Sequence, residues 1–548
     1  FFLDKVDKNE RELRSARLDG HELRHHVVSA EAMSFRVSPD ERWIAWQEGF
    51  HVWMSPFVNT GRPWRLGPKE EGLPRVRVSE DSGYNMRWSG DSERLSWNLG
   101  PELFVHSLSD SIAELNDGEK ARVPAKAHTL GFSFPHDQPP GGLALVGARL
   151  VTMEGDQVIE DGTLIIKGNR IQALGPRDTT PVPKGFKVID AKGMTAIPGL
   201  VDVHAHGAQA EFGITPERSW LHDSTLAFGV TTIHDPSNHS QSIFAARELI
   251  QAGKMTGPRT LSTGTILYGA EGAFRSRVNS LEDARQHLSR MRAMGAFSVK
   301  SYNQPRRNQR QQVLQAAREL GMMVVPEGGA LFQHNMTMIV DGHTGVEHAI
   351  PLANAYDDVL QLWAQSEVGY TPTLNVAYGG LGAEHYWYQE SEVYAHPRLR
   401  RFVPARVLNA RARRPAHAPH HEWNHVDVAR FAKRLIDAGG HVQIGGHGQR
   451  EGLGAHWEIW ALVQGGFTNH EALRSATLHG AWYLGLDNDL GSLAPGKLAD
   501  VAVIAGNPLD DIRESEEVRY VIANGRLYDA PTMAQLHPNQ VPAPTYFF

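Results

Sequence analysis

Ile197-Pro198-Gly199-Leu200-Val201-Asp202-Val203-His204-Ala205-His206 is an apolar run that ends in two histidines two positions apart. On a β-strand, alternate residues share a face, so both imidazoles project to the same side. Neutral imidazole is the commonest side-chain ligand for zinc-like cations, and the pair reads as half of a metal site. His-x-His alone is more often two packed histidines. An apolar Pro-Gly-Leu-Val-Asp strand in front of it, itself preceded by a series of short strands, favours the metal.

Downstream of this stretch, from about Met194 to Leu486, apolar runs alternate with helical stretches. Thr231-Thr232-Ile233, Ser298-Val299-Lys300, Met323-Val324-Val325, Val346-Glu347-His348 and Val442-Gln443-Ile444 are the clearest. Such alternation predicts an α/β fold, a (β/α)8 TIM barrel over 197–486, with its chemistry at the C-terminal ends of the strands. Upstream, short strands with hairpin turns such as Glu154-Gly155-Asp156 and Lys167-Gly168-Asn169 predict the first part of a β-sandwich over 143–196. Gly491-Ser492-Leu493, Asp500 to Ile504 and Val518 to Ile522 repeat the style and predict its second part over 487–530. Residues 531–548 are expected to form a tail.

Residues 1–134 carry a repeat. Phe35-Arg36-Val37-Ser38-Pro39-Asp40 leads to Trp43-Ile44-Ala45-Trp46, and Met86-Arg87-Trp88-Ser89-Gly90-Asp91 leads to Leu95-Ser96-Trp97, at a constant offset of 51 residues. Strand, Ser-x-Asp turn and strand at this period suit β-propeller blades. Two blades close no ring, which typically takes at least four. A partial β-propeller is therefore expected, completed by residues from the same precursor or from another chain. The chain opens with Phe-Phe-Leu-Asp and no methionine, so a leader or larger segment is expected to precede it.

Composition narrows the function. A net charge of −7 with both signs interspersed argues against nucleic acid as a partner, and no apolar run is long enough to span a bilayer. With no cysteine there is no disulfide, thiolate metal site or cysteine nucleophile. Gly-x-Ser-x-Gly, Walker and dinucleotide signatures are absent. His421-Glu422-Trp423-Asn424-His425 matches the zincin pattern of two helical histidines one turn apart. It offers an alternative, a zincin-type peptidase, although it falls within a crossover helix away from any strand end.

Gly229-Val230-Thr231-Thr232-Ile233-His234-Asp235, Gly257-Pro258-Arg259, Gly345-Val346-Glu347-His348 and Gly491-Ser492-Leu493-Ala494-Pro495-Gly496-Lys497-Leu498-Ala499-Asp500 stand beside the histidine pair. Over roughly Leu143 to Asp529 the chain thereby resembles the amidohydrolase superfamily, in its imidazolonepropionase-like and prolidase-like branch. The N-terminal repeat resembles the propeller of Tol-type periplasmic proteins. The resemblance implies one or two divalent ions, zinc first, with manganese, iron or cobalt as alternatives. Their ligands would come from His204, His206, Lys300, Glu327, His348 and His447, with Lys300 either carboxylated and bridging two ions or binding a substrate carboxylate as a plain lysine. In relatives strand five ends in histidine and strand eight in aspartate; here Glu327 and His447 stand at those positions. The exchange conserves formal charge and donor count, and both residues become candidates for catalytic proton transfer.

Tyr302, His343 and His456 are expected to contact substrate, with Glu458 beside the last. Arg275, Arg277, Arg306 and Arg307 lie in loops expected to surround the barrel mouth. The implied reaction is hydrolysis of an amide C–N bond in a dipeptide, N-acyl amino acid or cyclic amide by metal-activated water. A degenerate barrel acting as a scaffold through its propeller is the competing reading, motivated by positions 327 and 447. A small-molecule or short-peptide substrate, a homo-oligomeric state and a periplasmic or secreted location complete the expectation.

Overall fold

Ser38 and Ser89 open the same turn twice. In the computed structural model, Ser38 Oγ donates to Asp40 Oδ1 (2.6 Å) and accepts the Trp43 N–H (3.0 Å), while Asp40 Oδ1 accepts the Arg42 N–H (3.1 Å). Ser89 Oγ likewise bonds Asp91 and accepts the Arg94 N–H (3.0 Å), and Asp91 Oδ1 accepts the Glu93 N–H (3.0 Å). The left-handed residues repeat as well: Glu41 and Ser92 at φ 56° and 64°, Gly49 and Gly100 at 57° and 55°. Short polar side chains that bond their own backbone are what make such turns. Behind each turn an aromatic pair stacks across the strands, Trp46 on Trp53 at 6.1 Å and Trp97 on Phe104 at 6.0 Å.

The structure describes residues 1–5, 10–70, 72–117, 124–210, 213–271, 274–352, 354–378 and 380–548. They form two units, Phe1–Ser133 with Ile266–Met322, and Phe134–Thr265 with Met323–Phe548. In the first unit the repeat builds two four-stranded sheets. One holds Ala32–Val37, Trp43–Glu48, His51–Pro56 and Val76–Arg77; the other holds Tyr84–Trp88, Arg94–Leu99, Glu102–Ser107 and Lys126–Thr129. A third sheet joins Phe2–Lys5, Arg11–Ser15 and Arg24–Ser29 to the short strand Trp64–Arg65. It lacks the Ser-x-Asp turn, so the repeat did not reveal it.

Ile266–Met322 falls within the span assigned to the barrel by sequence, yet packs in this unit. The reason is a cation–π contact: the Arg290 guanidinium lies 3.6 Å from the Phe50 ring centroid, and Arg290 Nη1 donates to Tyr84 Oη (2.9 Å). Within the segment, Leu267–Tyr268 pairs in parallel with Ser298–Tyr302, and the helices Leu281–Ala293 and Arg307–Leu320 lie side by side.

The second unit opens on a nine-stranded sheet that draws on both ends of its sequence. Gly142–Val151, Val158–Lys167 and Arg170–Pro176 meet Val501–Ile504, Val518–Ala523 and Arg526–Asp529 through Thr195–Pro198, where Ala196 pairs with Val503. Leu143, Leu145, Leu150, Leu164, Val501, Val503 and Ile522 form its core. The sheet runs past residue 530, since Ala534–His537 pairs with Arg526–Asp529.

Parallel strands alternating with helices make up the rest. Leu200–Asp202, Val230–Asp235 and Arg259–Ser262 form one parallel ladder, and Gly345–Glu347 and Gly369–Thr371 another. Tyr370 bridges to Val442, and the Val203 N–H donates to Ile444 O (3.2 Å), which ties the last strand segment back to the first. These strands are buried on both faces, so they read as unbroken apolar and β-branched runs rather than alternating ones. Among the described residues no helix is long and apolar enough to cross a membrane.

Candidate metal centre and active site

Every residue of the centre follows a strand of the second unit. His204 and His206 follow Leu200–Asp202, Glu327 follows Met323–Pro326, His348 follows Gly345–Glu347, and His447 follows the Val442–Ile444 segment. Two of the histidines sit in left-handed backbone, His348 at φ 69° and His447 at φ 57°. Non-glycine residues there are uncommon and cluster where surrounding structure holds a side chain in place for use. What holds His447 is partly Asp202. One oxygen of this carboxylate accepts the N–H of His204 (3.2 Å) and of Gly446 (3.0 Å), and the His447 N–H donates to His204 O (2.6 Å). Burial raises the Asp202 carboxyl to about 6.

The imidazoles converge. His204 lies 4.9, 4.8 and 5.1 Å from His206, His348 and His447 by ring centroid, and His348 and His447 are 5.0 Å apart. One ligand nitrogen from each of His204, His348 and His447 lies within 4.8 Å of the others, and His204 Nε2 is 3.2 Å from His206 Nε2.

Carboxylates behind the rings decide how they are protonated. His204 Nδ1 lies 2.6 Å from Glu347 Oε2, and His206 Nδ1 lies 3.0 Å from Asp235 Oδ1. A carboxylate accepts, so both Nδ1 atoms carry a proton, and with both rings neutral the two Nε2 lone pairs face each other. Two facing lone pairs at 3.2 Å repel, and a divalent cation relieves that repulsion. The donor set therefore fits a metal ion, with the carboxylate–histidine backing that makes imidazole a better ligand. Glu347 also accepts from Tyr483 Oη (2.6 Å). Burial and the Glu347 charge push the Tyr483 phenol well above its ordinary range, so it stays a donor.

Glu327 enters from the solvent side. Its Oε1 is 3.9 Å from His348 Nε2 and accepts from Tyr378 Oη. The Tyr378 ring stacks on His348 at 4.5 Å, and Thr373 Oγ1 is 2.7 Å from His348 Nδ1. Tyr378 is 39% exposed, which makes this the open side of the centre. On the other side, a cavity of about 20 Å³ lined by Asp202, His206, Gln209, His222 and Glu451 is too small for an organic substrate.

Several sequence expectations are corrected. His456 is fully buried, with Nδ1 3.0 Å from Ser515 Oγ and Nε2 2.8 Å from Phe228 O, so both nitrogens are committed to packing. Glu458 clamps the loop that carries Thr373, accepting from the Leu374 and Asn375 N–H groups (3.0 and 2.6 Å), and burial raises it to about 8. His343 is buried, with Nδ1 3.0 Å from Met338 O at the C-terminal end of the helix Phe332–Asp341. The zincin pattern is broken: His420–Glu422 is a 3-10 turn ahead of the helix His425–Asp437, His421 is exposed, and buried His425 faces Gln464 Oε1 at 2.8 Å. The expectations for Lys300 and Tyr302 are not among these corrections: both lie on Ser298–Tyr302, with Lys300 buried and its Nζ 5.2 Å from the Tyr302 ring centroid.

Residues that the sequence did not single out are Asp202, Asp235, Glu347, Thr373, Tyr378 and Tyr483. Asp235 closes the Gly229-to-Asp235 stretch, so a polar residue ending an apolar strand was its signal. Glu347 had none, because neighbours on a strand point to opposite faces; the left-handed turn at His348 breaks that alternation.

Comparison with known proteins agrees with this architecture. Residues 437–528 match the amidohydrolase family. The chain is 26% identical over 425 residues to a 5-methylthioadenosine/S-adenosylhomocysteine deaminase of Pelotomaculum thermopropionicum, covering 70% of this chain and 92% of that protein. It is 27% identical over 414 residues to an imidazolonepropionase of Symbiobacterium thermophilum, covering 67% and 91%. In fold it is similar to a Xaa-Pro dipeptidase with bound methionine (TM-score 0.55, 20% identity, 71% of this chain and 100% of that one). A putative prolidase from Bifidobacterium longum is comparable (TM-score 0.55, 21% identity, 75% and 97%).

Proposed function

We propose that the second unit is the catalytic part of an amidohydrolase-type enzyme that hydrolyses a C–N bond at a metal centre held by His204, His206, His348 and His447. The observation that carries this reading is the pair of Nε2 atoms 3.2 Å apart, each on an imidazole whose Nδ1 faces a carboxylate. We read the parallel strands as those of a (β/α)8 barrel and the three sheets of the first unit as propeller-type blades.

A divalent cation held there would supply Lewis acidity, polarising a substrate carbonyl and acidifying water. The chain's own groups do the rest. Glu347 and Asp235 keep His204 and His206 in the Nδ1-protonated form. Glu327, on the open side, is the carboxylate placed to take a proton from the attacking water and return it to the leaving nitrogen. Tyr378 donates to that carboxylate and, stacked on His348, fixes where it points. His447 offers the second imidazole able to carry a proton. We assign an amide as the scissile group, in a dipeptide, N-acyl amino acid or cyclic amide. The imidazolonepropionase relative and the dipeptidase-like fold support that choice.

The test is a hydrolysis screen of dipeptides, N-acyl amino acids and cyclic amides with the purified chain, before and after metal removal. The reading expects turnover that chelation abolishes and added metal restores. A protein that binds no metal and turns over none of these compounds would instead support a scaffold.

A further inference from the structure

We propose that an arginine-lined cleft in the first unit binds the anionic group of a small organic ligand, a carboxylate or a phosphate ester. The cleft encloses about 420 Å³, and Arg275, Ser276, Arg277, Asn279, Arg306 and Gln309 line it.

Local folding builds it. Leu267–Tyr268 runs parallel to Ser298–Tyr302, and the Gly269 N–H donates to Tyr302 O (2.9 Å). A Cβ at Gly269 would meet Asn303 O at 2.3 Å, so only glycine lets the two loops approach this closely. The Ser276 N–H then donates to Tyr268 O (2.7 Å), and Gln309 Nε2 donates to Val278 O (2.9 Å), which holds the two walls together. Three guanidinium groups end up around one concavity.

Among the described residues only Arg277 of the three meets a carboxylate, that of Glu31. Arg306 Nη2 reaches only the uncharged Asn279 Oδ1, at 3.3 Å. Arg275 is half-buried, and its buried Nε has no hydrogen-bond partner among the described residues. Ser276, fully buried, likewise has a hydroxyl with no partner among them. Among the described residues no acidic side chain lines the cleft. The nearby Asp283 carboxylate is engaged by the N–H groups of Asn279 (2.8 Å) and Ser280 (3.1 Å). The helix Arg307–Leu320 starts at the cleft wall, where Gln309 Oε1 accepts the Arg306 N–H (3.2 Å), and it adds the positive end of its dipole. Three guanidinium groups, two of them meeting no carboxylate among the described residues, a hydroxyl without a partner among those residues and a helix N-terminus around one concavity suit a planar or tetrahedral oxyanion. The volume leaves room for the organic remainder of the ligand.

The test is calorimetric titration of the full-length protein, as purified, with succinate and with inorganic phosphate. Arg306→Gln, the double variant Arg275→Gln/Arg306→Gln and His348→Ala are compared, each checked for retained fold by circular dichroism. The proposal expects saturable one-to-one binding of at least one probe. That binding should weaken at least tenfold in the double variant, less in Arg306→Gln, and remain unchanged in His348→Ala. Succinate alone assigns a carboxylate, and phosphate alone a phosphate ester. Absence of saturable binding overturns the proposal. So does binding lost in His348→Ala but kept in the double variant, because the anion then sits at the histidine centre.

Discussion

At the scale of single residues, the proposed centre rests on carboxylates placed behind its imidazoles. Glu347 fixes the tautomer of His204 and is anchored by Tyr483. Glu347→Gln keeps the shape but presents an uncharged amide, and is expected to lower metal affinity and turnover by about 10–100-fold. Tyr483→Phe removes one donor to Glu347 and should cost less. Metal titration of the three proteins checks this, and equal affinities would exclude the tautomer argument. Glu327→Gln separates ligand from base. If Glu327 moves protons, the variant should retain its metal and lose at least about 100-fold in kcat. Full activity with unchanged metal content would refute the role. The His204–His206 pair was legible from sequence because a strand's two-residue period puts both rings on one side. Tyr378 was not, since it sits in a loop whose path no local pattern dictates.

At the scale of elements, the loop after the last strand segment is the most constrained part of the centre. His447, Gly448, Arg450, Glu451 and Gly452 all have positive φ, at 57°, 72°, 53°, 20° and 91°. A Cβ at Gly448 would lie 2.1 Å from the backbone oxygen of His206. Backbone cannot yield as a side-chain tip can, so Gly448→Ala must displace either His447 or the His206 segment. Loss of more than about 1 kcal/mol of stability is expected, together with weakened metal binding. Denaturation and metal titration of this variant report the two effects, and a wild-type metal affinity would place the loop outside the centre. The blade repeat shows the same dependence on elements. Its two copies were legible because a Ser-x-Asp turn carries its own hydrogen bonds. The sheet of Phe2–Lys5, Arg11–Ser15 and Arg24–Ser29 carries no Ser-x-Asp turn; the connection between its last two strands turns instead at Arg17–His21, where Asp19 Oδ1 accepts the His21 N–H (3.0 Å).

At the scale of the whole molecule, strand–helix alternation was readable because burial on both faces writes continuous apolar runs, and the strands at the two ends of the second unit, which join in one nine-stranded sheet, were readable from their hairpin turns. The placement of Ile266–Met322 was not, because Arg290 over Phe50 is a contact between residues 240 apart in sequence, invisible to any periodicity. Burial also gives the protein opposed pH dependences. It lowers His222, His425, His456 and His479 each to about 4, and raises Asp202 to about 6 and Glu458 to about 8. Between about pH 6.5 and pH 4 the unfolded chain takes up protons at these histidines that the folded one refuses, so their contribution to stability is complete above pH 6.5 and declines as pH falls, while the two carboxyls act with the opposite sign. Each such histidine contributes up to about 1.4 kcal/mol per pH unit in that window. The urea midpoint of His456→Gln should rise relative to that of the wild type as pH falls from 7.5 to 5; a difference that does not change with pH would contradict the assignment. The most direct measurement of the account is elemental analysis of the purified chain and of His204→Ala. Four imidazoles built to share a cation predict at least one divalent ion per chain in the wild type and its loss in the variant. A wild-type chain that takes up no divalent ion, or a His204→Ala chain that holds it equally well, would contradict the account.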